Sequence, residues 1–309
     1  MQTRGVGWVH PTVRLAFVRW YACTNSRIGH KHTDPNLRSE NHPARRISQP
    51  VNMVRMEPTA RSLARTYSDR VYPDPFEKVE DYQRVQAYAA EHPNAGRTTV
   101  GNALELPASR VRGWLKSGKP DPVRGIEIAS AHGWLDPDDD MAGALIELLA
   151  HVLAGGSINA RFVPAISVGR RVDHDTIVSV FEAVGVDAQQ RHADSDGRAT
   201  EVYPTTDASV LGRCLVAMGA PQGTKTDLDA LPAVVWESPK PIRRRFVESY
   251  VAHRGVHFET KATTRIQEER PASYLADLHD LIDESVTSTV SRGPRGLTIS
   301  ADAARELGL

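Results

Sequence analysis

The sequence predicts an α+β protein: two pseudo-symmetric αββαββα halves, preceded by a small all-α helix-turn-helix domain and a basic N-terminal arm. Three observations predict it. The stretch LLAHVLAGGSI, Leu148 to Ile158, has the layout of FVESYVAHRGVHF, Phe246 to Phe258, and the matching glycines Gly156 and Gly255 lie 99 residues apart. One supersecondary unit reused at a long period implies two similar halves packed about a pseudo-twofold axis, with the paired helices side by side. After each copy, apolar spacing alternates between strand and helix periods in the same order. Ahead of both, Thr98 to Gly118 reads as a short helix, a tight turn and a second helix.

Composition bounds the possibilities. A chain of 309 residues with 40% apolar and 25% charged residues is an ordinary folded protein with room for two or three domains. Charges break every apolar run before the roughly 18 residues a membrane span needs, so no membrane partner is expected. WVHPTVRLAFVRWYAC, near the start, is interrupted by Arg14 and Arg19 and is not read as a signal peptide. Cys23 and Cys214 stand far apart, which argues against a disulfide framework and for a reducing, cytoplasmic setting. The chain is neutral overall, yet residues 1–66 hold eleven Lys and Arg against Asp34, Glu40 and Glu57, a balance of +8. This arm is expected to be disordered and to neutralise phosphates. The competing reading is a start at Met53 or Met56.

In chain order, Phe76 to Glu91 places Val79, Tyr82 and Val85 on one helical face, and His92 to Gly96 forms a loop. Thr98 is expected to cap a helix bearing Val100, Ala103 and Leu104. After a turn at Leu106-Pro107, a second helix turns Val111, Trp114 and Leu115 inward and Ser109, Arg110, Arg112, Gly113 and Lys116 outward, a face suited to a DNA major groove. Asp121 is expected to cap the next helix and Trp134 to close this domain, which spans 67–136. The acidic run from Asp136 to Asp140 lacks the spaced ligands of a calcium loop and reads as a linker that caps the following helix.

The region 141–309 then divides into halves of about 141–220 and 239–309. In the first, the core helix precedes a ribbon through Ile158, Phe162, Ile166 and Val168. A helix from Asp173 to Val184, a hairpin turning at Ser195-Asp196-Gly197, and a helix from Asp207 to Met218 complete it. In the second, VHFETKATTRIQ supplies two strands, Pro271 opens a helix, Gly293-Pro294 marks a hairpin, and Ala301 to Leu309 closes the chain.

The paired stretches resemble the two core helices of the LAGLIDADG homing-endonuclease family, over about Met141 to Leu309. The resemblance implies a saddle of strands over duplex DNA, with one acid from each motif holding divalent metal at the helix ends. Those positions are here Gly155 and Arg254. A cation about 4 Å from a divalent ion costs roughly 8 kcal/mol at an effective dielectric of 20, more than one nearby acid such as Glu248 would restore. The expectation is therefore a degenerate member with no catalytic residues, no metal and no cofactor, Arg254 contacting a phosphate instead. His151, His253 and His257 near the helix ends are read as packing or surface groups.

The strand faces offer Asn159, Arg161, Arg170 and Arg171, then Gln189, Gln190, Arg191, His192 and Arg198. The second half offers His257, Lys261, Arg265, Gln267, Arg292 and Arg295, all of types that read base edges and phosphates. The expected partner is double-stranded DNA, with no small-molecule substrate, in a transcription regulator or DNA-transaction factor. Bacterial regulators of the WhiA type pair silent LAGLIDADG repeats with a helix-turn-helix in the reverse order. Two alternatives remain open: an active, Mg²⁺-dependent homing endonuclease, and an RNA-binding or protein-interaction scaffold.

Overall fold

In a computed structural model the structure describes residues 58–193, 197–258, 260, 262–294 and 296–309. Residues 1–57, most of the arm, lie outside them, as do Ser195, Asp196, Lys261 and Arg295.

Five helices come first. α1 (Ala60–Arg65) falls in the stretch expected to lack structure, and a capping box between Thr59 and Ser62 satisfies its first N–H groups. α2 (Pro75–Glu91) starts under an Asp74 cap with proline in its first turn. α3 (Arg97–Leu104) and α4 (Ala108–Lys116) are joined through Glu105, whose positive φ of 57° makes the turn. Gly96, rather than the expected Thr98, stands at the α3 N-cap, and Ala103 faces solvent. Gly101 is required by space, because a Cβ there would lie 2.7 Å from the Leu106 carbonyl oxygen. Val85, Val100, Val111 and Trp114 close the small core between α2, α3 and α4, with Tyr82 edge-on to Trp114 at 5.8 Å. α5 (Asp121–Ala131) is preceded by Pro120 at the N-cap, so Asp121 is its first residue rather than its cap.

Trp134 does not close this helical core. It is fully buried in the main core, where its indole N–H donates to the Val184 carbonyl at 2.8 Å. Arg213 ties the same regions together: its guanidinium lies 3.9 Å from the Tyr67 ring centroid and 3.7 Å from that of Phe162, and it donates to the Thr66 carbonyl. Tyr67 in turn lies over Gly125, where a Cβ would come 2.1 Å from the Tyr67 hydroxyl. The helices are thus docked on the α/β region by buried and stacked contacts.

The α/β region repeats one order twice. First come α6 (Asp139–Gly155), β1 (Gly156–Ile158), β2 (Pro164–Ser167), α7 (His174–Ala183), β3 (Ala188–Arg191), β4 (Glu201–Pro204) and α8 (Ala208–Ala217). After the connecting α9 (Ala233–Glu237) come α10 (Lys240–Arg254), β5 (Val256–Phe258), β6 (Thr263–Gln267), α11 (Ala272–Asp283), β7 (Val290–Gly293), β8 (Gly296–Ile299) and α12 (Ala301–Glu306). Each half forms a four-stranded antiparallel sheet of the same order, β1-β2-β4-β3 and β5-β6-β8-β7. Asp138 caps α6 by accepting from Met141 N–H, so the acidic run does act as a cap.

α6 and α10 form the most extensive helix pairing in the molecule, with Ala150 and Ser249 both buried. α6 is apolar almost all round, as a helix enclosed on every side must be. Gly156 and Gly255 follow the two helices with negative φ, −115° and −70°. Their need for glycine is close approach: a Cβ at Gly156 would lie 2.5 Å from the Ala165 carbonyl oxygen, and one at Gly255 2.6 Å from the Thr264 methyl. No described helix is long and apolar enough to cross a membrane.

Candidate nucleic-acid interface

Strand register decides which side chains each sheet presents, because successive residues face opposite sides. In the first sheet Gly156, Ile166, Val202 and Gln190 form one cross-strand row, and Ile166 and Val202 are fully buried. The opposite face carries Ser157, Ser167, Glu201, Arg191, Tyr203 and Gln189. Gln190 therefore lies on the core side at the sheet edge, on the face opposite Arg191. In the second sheet Val256, Arg265, Thr298 and Ser291 form an outward row, joined by Phe258 and Gln267. Val256 and Phe258 are 50% and 44% exposed, two large apolar groups flanking a solvent-facing Arg265. His257 and Arg292 share rows with buried Thr264, Ile299 and Leu297, so they emerge at edges on the helix side.

Several candidates are committed elsewhere. Arg191 pairs with Glu201 at 2.8 Å and stacks on Tyr203. Asn159 uses its side-chain oxygen to accept from Arg161 and Val163 N–H groups, which folds the β1–β2 loop. On α4, Arg110 stacks on Tyr72 and donates to its hydroxyl at 2.7 Å, while that hydroxyl donates to Asp81 at 2.8 Å. The outward cations of α4 left without a partner among the described residues are Arg112 and Lys116, beside exposed Ser109. Arg161 in the β1–β2 loop, Arg170 and Arg171 in the turn after β2, and Arg198 before β4 are all exposed.

The paired helix ends are the most elaborate polar region. Gly155 is enclosed by the other helix: a Cβ there would lie 1.4 Å from Nε2 of His253. His253 and His151 meet edge-on at 5.7 Å, and their Nδ1 atoms are buried with no partner among the described residues. Burial is the main cause that pushes both imidazoles down to about 4, helped by His253 for His151 and by Lys225 and Arg254 for His253. Both rings are neutral at ordinary pH. His257, on exposed β5, does not join them.

Arg254 is held by a carboxylate that sequence reading passed over. Its Nε donates to Glu268 Oε1 at 3.0 Å and its Nη2 to the Gln267 carbonyl. Glu268 is buried; Oε1 also accepts from the Tyr250 hydroxyl at 2.6 Å, and Oε2 from Arg270 Nε at 3.1 Å. Arg270 reaches on to the Leu153 carbonyl at 2.8 Å, and Lys225 Nζ donates to the Val152 and Leu153 carbonyls at 3.0 Å each. Carbonyls of the last turn of α6 are thus met by two cations, which also suit the negative end of the helix dipole. Glu248 is turned to Arg244, 2.8 Å away.

This constellation does not fit divalent metal. Its one carboxylate already accepts from three donors, two of them arginines, and a third cation, Lys225, stands nearby. Among the described residues no group of three His, Cys, Asp or Glu side chains stands together as metal ligands would. Nothing in the local sequence marks Lys225, Glu268 and Arg270, because the first lies in a connection and the others between a strand and a helix.

No family model and no curated protein matches the chain. Among solved structures the chain is similar to the crystal structure of the N-terminal LAGLIDADG domain of DUF199/WhiA, with 12% identity and a TM-score of 0.37 over 59% of this chain and 89% of that one.

Proposed function

We propose that this protein binds double-stranded DNA through two elements: α3 and α4 as a helix-turn-helix, and the outward faces of the duplicated sheets as a LAGLIDADG-type saddle related by pseudo-twofold symmetry. It acts as a regulator or DNA-transaction factor without nuclease chemistry. The observation that carries the reading is the paired helix ends. Cations and neutral imidazoles stand where a nuclease of this architecture needs acids, while the architecture around them is complete. Arg112 and Lys116 on α4, with exposed Arg265 on β6, supply cations without partners among the described residues for phosphates or guanine.

A titration of the full chain against duplex DNA, single-stranded DNA and structured RNA at matched salt tests it. Tightest binding to duplex, with affinity falling steeply as salt rises, is expected. Preference for structured RNA would move the fold to the RNA-binding class, and site-specific nicking in Mg²⁺ would restore the endonuclease reading.

A further inference from the structure

At the C-terminal ends of α6 and α10, Arg254 and Arg270 share the Glu268 carboxylate, and Lys225 stands within electrostatic reach of all three. Hydrogen bonds to protein account for only part of their donor capacity. Lys225 Nζ spends two of its three N–H bonds on the Val152 and Leu153 carbonyls. Arg254 spends Nε and Nη2, and Arg270 likewise spends Nε and Nη2. One hydrogen on Lys225, the second Nη2 hydrogen of each arginine and the Nη1 groups of both remain. The Arg270 side chain is only 4% exposed, and its Nη1 is buried with no partner among the described residues. Glu268 is equally buried, whereas Arg254 is 38% exposed and forms the open side of the cluster.

Charge makes the same point as the donors. Three positive groups against Glu268 leave an excess of two charges, and the neutral histidines beside them contribute none. The α6 C-terminus offsets roughly half a charge. Burying unpaired positive charge is costly, and a structure that keeps it gains from a counter-charge brought from outside. Burial first, and then the charges of Arg270 and Arg254, hold Lys225 down to about 8 against the opposing pull of Glu268.

From this geometry we infer that Lys225, Arg254 and Arg270 form a binding site for a phosphate-type oxyanion at the paired helix ends. The tetrahedral oxyanion would take one N–H from each cation, charge-assisted in every case, with Arg254 as its gate to solvent. Its source is either a phosphodiester of bound nucleic acid or a free phosphate or nucleotide phosphate. The first source deepens the DNA reading; the site itself does not depend on it.

The full chain is titrated with inorganic phosphate and pyrophosphate at ionic strength held constant with chloride, by calorimetry and thermal melting, as wild type, Arg254→Gln and Lys225→Gln. Saturable, phosphate-specific binding by wild type is expected, at least tenfold weaker in both variants. Arg254→Gln, at a half-exposed position, guards against Lys225→Gln failing to fold. A labelled duplex forms the second arm. Displacement of pyrophosphate by duplex, with duplex affinity reduced in both variants, assigns the phosphodiester source. Phosphate binding with no duplex competition assigns a free phosphate, and if no duplex binds at all the DNA reading fails while the site stands. Absence of phosphate-specific binding by wild type, or equal binding by Arg254→Gln, overturns the site.

Discussion

Replacing Gly155 with alanine inserts a methyl group into space that the His253 ring holds. The new Cβ would sit 1.4 Å from Nε2, 1.8 Å from Cδ2 and 2.5 Å from Cε1. Restoring ordinary contact requires a shift of roughly 2 Å, since Cβ contacts start near 3.4 Å. The ring is packed edge-on against His151 with its Nδ1 already buried, so the displacement disturbs the α6–α10 seam. Overpacking of this kind costs about 1–3 kcal/mol, and in a region of this size each kcal/mol lowers Tm by roughly 2–4 °C. Helix propensity alone points the other way, favouring alanine over glycine by up to about 1 kcal/mol. In a His253→Ala background, therefore, Gly155→Ala is expected to be neutral or stabilising. Urea denaturation of the four proteins in this cycle gives the coupling directly. A single Gly155→Ala protein as stable as wild type would refute the claim that His253 fills the space beside Gly155.

Arg213→Ala removes a guanidinium held between Tyr67 and Phe162 and is expected to cost about 1–3 kcal/mol in urea denaturation, with Arg213→Lys recovering little because an ammonium cannot stack in the same slot. His151 and His253 protonate near pH 4 when folded and near 6.5 when unfolded, so their contribution to stability is complete above about pH 6.5 and is lost as pH falls towards 4. Urea midpoints across that window should fall more steeply for wild type than for His151→Gln/His253→Gln. Arg112→Ala and Lys116→Ala should each weaken duplex binding and lower the salt slope by about one where the lost contact is to phosphate. Arg110→Ala should lower stability through Tyr72 more than it lowers affinity, as paired denaturation and binding curves would show.

Elements governed by short-range periodicity were legible in the sequence. Val79, Val85, Val111 and Trp114 announce α2 and α4 by helical spacing, and the second copy of the αββαββα order is visible because the glycines recur. What depended on distant partners was not legible. Trp134 sits beside its own helical domain in sequence, yet its partner Val184 lies 50 residues downstream. Gln190 and Arg191 read equally well as polar strand residues, and only the pairing with Val202 and Glu201 assigns them to opposite faces. Why glycine stands at 155 was not legible for the same reason: the absent acid can be read locally, whereas the imidazole that takes its space comes from the other helix. Lys225 and Arg270 carry no periodic signal, and their meaning arises only where both meet the α6 carbonyls.

The central proposal is duplex DNA recognition with cations and neutral imidazoles, rather than acids, at the paired helix ends. Its most direct test is the affinity of the full chain for a labelled duplex pool, measured over a range of salt in EDTA and again in Mg²⁺. Metal-independent binding with a steep negative slope of log affinity against log salt, and an intact duplex throughout, is the predicted result. Binding that requires Mg²⁺, cleavage of the duplex, or no duplex binding at low salt would contradict it.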